Sequence, residues 1–242
     1  MSQTLVQLIV RNLYERTADV RWWATDGALF KCLKQPTEDS VGYAAERLSL
    51  INRFYTVYLN LVMTDRNGNI VTCSNPSQFP ATKNADVSKL PWFKNALNTN
   101  SGDDYVVDDI YNDPLHNNSM VAVYATAIRE GGKVDGVVLG VLGVFFEWEE
   151  QSRCIVQDEP NLTKDEWERS TVMLLDINNR IISSSDGNNL LQTFQLDSNQ
   201  GQKGSYINQQ NEIVAYAKTI GYEEYDGLGW KAVIVQKMSK GM

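Results

Sequence analysis

Asp65, Asn67 and Asn69 stand at alternate positions in the stretch TDRNGNIVTCS, as oxygen ligands do at the start of a calcium loop. A loop of that kind needs a bidentate glutamate at its twelfth position, and Pro76 occupies it here. Asn67-Gly68 is also the strongest short signal for a hairpin turn, and strand formers flank it on both sides. A turn, and no metal, is the expectation. The one histidine, His116, lies in DPLHNN, a turn, where it is expected to be exposed and without the positioned partners that acid–base chemistry needs. The glycines of GVVLGVLG lack the GxGxxG spacing and a strand-to-helix setting, so nucleotide binding is not supported. Cys32, Cys73 and Cys154 are odd in number and far apart, which fits neither a disulfide framework nor a zinc site and agrees with a reducing compartment. No enzyme activity and no cofactor are expected.

The chain has 242 residues, 43% hydrophobic and 21% charged, enough for one large domain or two small ones with cores. A net charge of −8 argues against a nucleic-acid partner, whose phosphates require a basic face. No run approaches the roughly 18 apolar residues of a membrane span, and the first residues lack a signal-peptide pattern, so any anchor is expected outside this chain.

Leu5, Ile9, Leu13, Val20, Trp23, Gly27 and Phe30 recur at helical spacing, which predicts one long helix ending near Pro36. Its stripe must be covered by its own domain or by a second subunit. Thr37 reads as the N-cap of a second helix carrying Val41, Ala44, Ala45, Leu48, Ile51 and Tyr55. Beyond Thr56 the texture turns to strands: VYLNLVMTDRNGNIVTCS, then SMVAVYATAI and GVVLGVLGVFFEW. LPWFKNAL is a short helix opened by Pro91, and DDYVVDDIYNDP an extended stretch ending in a turn. Thr163 and Glu166 form a capping box, after which STVMLLDINNRIISSS, GSYINQQ, EIVAYAKTI and LGWKAVIVQKM resume the strands.

The chain repeats itself. Laid without a gap over VMLLDINNRIISSS, LVMTDRNGNIVTCS brings Asp65 onto Asp176, Asn67 onto Asn178, Ile70 onto Ile181 and Ser74 onto Ser185. VYATAI answers AYAKTI, with Tyr124 on Tyr216 and Ile128 on Ile220, and two closing strands correspond in the same order. Three pairs in one order predict two copies of a β-rich unit, the second shortened in its middle, with the boundary in the segment 158–168.

This order of elements resembles the double Cache sensor family over essentially the whole chain. The matches are LPWFKNAL, YVVDDIYNDP, AVYATAI, a Gly-Gly turn, GVVLGVLGVFFEW and the C-terminal YEEYDGLGWKAVIVQ. The resemblance implies an α+β fold, a long N-terminal helix followed by two PAS-like units, each an antiparallel sheet with flanking helices. Residues 1–57 would be the helical region, 58–158 the ligand-binding unit and 159–242 a smaller second unit. It implies a sensory input module of a bacterial signal transducer, with a small molecule in the first unit, a signal through the long helix, a homodimer through residues 5 to 30 and an output domain outside this chain. Carried over position by position, the ligand would meet Trp92 and Phe93 on the short helix, Tyr105, Asp108 and Tyr111 on the following strand and loop, and Tyr124, Thr126 and Phe145 on the strands behind. Such aromatics offer stacking area, and the carboxylate can hold an ammonium group. The amino-acid-binding branch has an arginine where this chain has Leu90, and an aspartate where it has Phe145. Without the arginine nothing clamps an α-carboxylate, so an apolar, aromatic or cationic ligand is expected instead. A dimerisation or scaffolding module with a vestigial pocket stays open as the alternative. Most of the family faces the periplasm or exterior, while the unpaired cysteines leave a cytoplasmic version open.

Overall fold

In the computed structural model, the described residues are 2–197, 201–221, 223, 225 and 227–238, without the side chains of residues 3, 6, 9 and 12. Ile9 of the predicted stripe and three residues of YEEYDGLG therefore lie outside the described residues. The chain forms two compact units, Arg16–Trp148 and a discontinuous one made of Met1–Glu15 with Glu149–Met242.

The predicted long helix is two helices, α1 (Ser2–Trp23) and α2 (Gly27–Lys34). The break is written at Asp26, whose carboxylate accepts the Ala28 N–H as the N-cap of α2, so a polar side chain there outcompetes a continuous helix. Thr37 then caps α3 (Glu38–Phe54), with Ser40 completing a capping box. Along α1, Leu5 and Leu13 are buried in the second unit, Val20 and Trp23 in the first.

The first unit's sheet is built from β1 (Tyr58–Asp65), β2 (Ile70–Cys73), β3 (Val106–Val107), β4 (Tyr111–Asp113), β5 (Ser119–Arg129) and β6 (Val138–Glu147). Its order is β2-β1-β6-β5-β3, with β4 also on β5, and all pairings are antiparallel. Helix α4 (Pro91–Leu97) covers one face. After α5 (Trp148–Gln157) and α6 (Lys164–Glu168), the second unit's sheet has β7 (Ser170–Leu175), β8 (Ile181–Ser184), β9 (Lys203–Ile207), β10 (Glu212–Lys218) and β11 (Lys231–Lys237), in the order β8-β7-β11-β10-β9. The two sheets have one topology, as the internal repeat predicts.

The repeat extends to single hydrogen bonds. Asp65 Oδ1 accepts the N–H of Asn67 and Asn69 at 2.8 and 2.9 Å, and Asp176 Oδ1 accepts those of Asn178 and Arg180 at 2.8 Å each. Ser74 Oγ accepts the Leu61 N–H at 2.9 Å, and Ser185 Oγ accepts that of Val172 at 3.0 Å. The second carboxylate oxygen takes the Asn69 amide in the first copy and the Arg180 guanidinium in the second. Both aspartates thus organise a hairpin turn. Gly68, at φ +88°, is required there, because a Cβ would lie 2.6 Å from the Ser88 backbone.

Candidate functional site

Strand parity divides the predicted site residues between the two faces of the first sheet. Val121, Val123, Ala125, Val141 and Phe145 point toward α4 and form one core with Trp92, Phe93 and Ala96. Tyr124 pairs with Val144 and Ala122 with Phe146, so these lie on the opposite face, where Phe146 meets Tyr58 at 6.0 Å and the Arg16 guanidinium. The structure therefore brings together Trp92, Phe93, Asp108, Tyr111 and Phe145. Tyr124 and Thr126 are on the other face. Tyr105 lies under the Arg21 guanidinium of α1, 5.4 Å from its ring centroid, and the Thr126 hydroxyl donates to the Asp104 carbonyl.

Trp92 sits at the second position of α4 and is 1% exposed. Its indole packs on Gly143, where a Cβ would come within 2.9 Å of the ring, and meets Phe145 edge-on at 5.6 Å. Phe145 in turn lies 4.2 Å from the His116 ring, and His116 lies 4.7 Å from Phe79. These rings fill the middle of this face. At its edge the chemistry changes. The Trp92 Nε1 and the Tyr111 hydroxyl are both buried without a hydrogen-bond partner. They lie close enough for the indole N–H to pull the phenol's pKa down, but not in a geometry that makes a hydrogen bond between them. Burial outweighs that pull and, with the charges of Asp113 and Asp108, holds the phenol far above its usual range.

Asp108 completes the group. Burial raises its carboxyl pKa, and the N–H groups of Asp109 and of Trp92 at the start of α4 offset this only in part. Its backbone N–H is bonded to Val123 O at 2.9 Å, so the strand edge holds it in place. An indole donor, a phenol and a carboxylate thus converge beside an apolar, aromatic floor, which is the composition of a small-molecule site. Three cavities of about 280, 330 and 380 Å³ open elsewhere on this unit, and none is lined by Trp92, Asp108 or Tyr111. Leu90, standing where the amino-acid binders have arginine, packs against the apolar core.

His116 corrects the expectation of an exposed turn residue. It is fully buried, with Nδ1 2.7 Å from Asp113 Oδ2 and Nε2 3.1 Å from the Asn60 side-chain amide. Asn60 Oδ1 accepts from Ser74 Oγ at 2.9 Å and from the Asn75 N–H, and Ser74 Oγ lies 2.6 Å from Asn52 Oδ1 on α3. This polar chain ties the loop after β4 to the β1–β2 hairpin. A lone histidine carries no periodic signal, and its partners lie up to 56 residues away in sequence, so it was not legible. Among the described residues, no group of three or more His, Cys, Asp or Glu side chains could hold a metal ion. Cys32 and Cys73 are buried and Cys154 exposed, all as free thiols.

No family model matches the sequence, and no curated protein matches it. Solved structures do. The sensor domain of the V. cholerae histidine kinase DctB superposes with a TM-score of 0.71 at 12% identity, covering 98% of this chain and 96% of that one. The ligand-binding domain of the Pseudomonas aeruginosa amino acid chemoreceptor PctC, in complex with GABA, gives 0.71 at 18% identity with the same coverage. The sensory domain of the Campylobacter jejuni chemoreceptor Tlp3 gives 0.65 at 20% identity, covering 98% and 92%. The fold is that of the tandem PAS-like, double Cache sensor domains. Those neighbours are sensor or ligand-binding domains of two chemoreceptors and a histidine kinase.

Proposed function

We propose that this chain is the sensory input module of a signal transduction protein, and that a small molecule binds in the first unit beside Trp92, Phe93, Asp108 and Tyr111. One observation carries this: Trp92 Nε1 and the Tyr111 hydroxyl are buried without a well-formed hydrogen bond and adjoin the half-buried Asp108 carboxylate. Buried polar groups are otherwise almost always paired, so a ligand supplying the missing partners accounts for both. The chemistry selects a cation. Asp108 and Tyr111 can accept from an ammonium group, Trp92 Nε1 can donate to a polar atom of the ligand, and Leu90 offers nothing to an α-carboxylate. The class is a small amine with an apolar or aromatic body, bound and released without chemistry. The sensor domains that share the fold support a binding role over a catalytic one, and support a place outside the cytoplasm. Nothing in them favours the cytoplasmic alternative.

Binding at Asp108 and Tyr111 orders the stretch that also carries Tyr105, and Tyr105 lies against Arg21 of α1. That contact supports the long helix as the route of the signal to an output domain outside this chain. A homodimer through α1 itself rests on little, since Leu5, Leu13, Val20 and Trp23 are buried within the chain and Trp22 is its large exposed apolar side chain among those described. A vestigial pocket on a scaffolding module is the second reading, and it is favoured by Phe145 filling the face between Trp92 and His116.

Titration calorimetry with a panel of alkyl and aryl amines, carboxylates and zwitterions separates the two. The proposed function expects one amine class to bind and the Asp108→Asn and Tyr111→Phe variants, still folded, to lose it. Binding of carboxylates alone, or binding indifferent to both substitutions, would overturn it.

A further inference from the structure

Helix α3 carries an apolar face that its own unit leaves uncovered. Tyr43, Leu50 and Phe54 are 58%, 42% and 69% exposed, and with Arg47 they step along the helix by four, three and four, which is one face. Trp22 at the end of α1, 69% exposed, continues the patch, and a cavity of about 280 Å³ lies between it and α3. Large apolar side chains scattered singly on a surface need no explanation, but aromatics gathered around an arginine have the composition of an interface centre. Arg47 is already prepared for burial: its Nε and Nη2 donate to Asp26 Oδ2 at 3.1 and 2.9 Å, so its charge is neutralised within its own copy.

We infer that this face pairs with the same face of a second copy, α3 against α3 and antiparallel, about a twofold axis near Leu50. Charge selects the orientation. Glu46 and Arg53 are both exposed and lie two turns apart on one flank of the apolar stripe. In an antiparallel pair centred on Leu50 the Glu46 of each copy meets the other's Arg53, and symmetry makes the contact twice. A parallel pair would turn each flank toward the other copy's opposite flank, which carries Ala44, Ile51 and Tyr55, and would leave Glu46 and Arg53 without each other. The aromatic residues follow the same order, since Tyr43 near the start of α3 then stands opposite Phe54 and Trp22 near the other copy's end. Gly42 on the same flank meets nothing within 4 Å of where a Cβ would project, so a second helix can approach closely there. This pairing does not involve the buried stripe of α1.

Sedimentation of the full chain over a range of concentrations tests it, with Leu50→Arg, Glu46→Arg, Arg53→Glu and the double reversal Glu46→Arg/Arg53→Glu. The expected result is a dimer whose dissociation constant rises about tenfold or more with Leu50→Arg, a substitution on an exposed face that leaves thermal unfolding of the monomer unchanged. Each single reversal weakens the dimer and the double reversal restores it. A monomer at the highest soluble concentration, a dimer indifferent to Leu50→Arg, or a double reversal that restores nothing would overturn the pairing. Amine binding at Asp108 is read separately, so loss of either result leaves the other standing.

Discussion

The two sheets share strand order, turn chemistry and even the serine that closes each hairpin, yet the proposed site falls on the first. Between β2 and β5 the first unit inserts α4 and an extended acid- and tyrosine-rich stretch, and these deliver Trp92, Asp108 and Tyr111 to one sheet face. In the second unit the corresponding face is covered by Leu190, Phe194 and Leu196 from a stretch without helix, and only β9 precedes β10. The frame is therefore neutral as to function. What is laid across its open face decides whether that face is a closed core or a core with polar groups awaiting a partner.

Substitutions that act on one unit should sharpen this contrast. The largest expected effect is from Trp92→Ala, which removes the side chain joining α4 to the sheet and costs about 3–5 kcal/mol. Hydrogen exchange should show amides of β5 and β6 losing protection while those of β10 and β11 keep theirs; equal loss in both sheets would mean that the two units do not unfold separately. His116→Ala comes next, at about 3 kcal/mol, because it leaves the buried Asp113 carboxylate without its ring partner. Chemical denaturation followed by near-ultraviolet dichroism would read it, and an unchanged midpoint would show the pair to be dispensable.

The paired turns provide a control within one molecule. Asp65→Ala and Asp176→Ala each remove two hydrogen bonds from backbone amides, at about 1–2 kcal/mol apiece. The second should cost more, since Asp176 is 1% exposed and also holds Arg180 at 2.7 Å. Thermal melts in which Asp65→Ala is the more damaging would break the equivalence of the turns.

The smallest effect has the opposite sign. Asp108 has its folded-state pKa raised by burial, so it binds a proton more tightly folded than unfolded. Its favourable contribution is complete below the ordinary carboxylate range and is lost as pH rises through the raised value. Asp108→Asn should therefore raise the melting temperature of the ligand-free protein slightly at neutral pH, with the gain vanishing toward about pH 3. A variant less stable than the parent at neutral pH would show that the carboxylate is satisfied within the fold.

Much of this architecture was legible because it is local. The N-cap at Thr37, the capping box at Thr163, the two hairpin turns and the duplicated strands are written within a few residues of each other. The division of the site was also available in principle. Tyr124 alternates with Val123 along β5, and Val123 pairs with Phe145, so parity alone assigns Tyr124 to the far face. The break at Asp26 was hidden because Trp23, Gly27 and Phe30 keep helical spacing across it, while a single side-chain cap decides the backbone. The network of His116, Asn60, Ser74 and Asn52 was beyond reach, because it joins four segments that only the fold assembles.

One continuous helix supplies both units, and this has a consequence for how the protein is made. Residues 2–15 of α1 belong with the segment 149–242; Val10, for example, lies beside Gly227. Residues 2–15 therefore complete their native surroundings only when the strands up to β11 have followed, tens of seconds later at about 5–20 residues per second. Meanwhile the segment 16–148 is contiguous and can fold as it emerges. Leu5, Val10 and Leu13 wait uncovered through that interval, so synthesis order leaves exposed an apolar surface of α1 that only the later-made segment 149–242 covers.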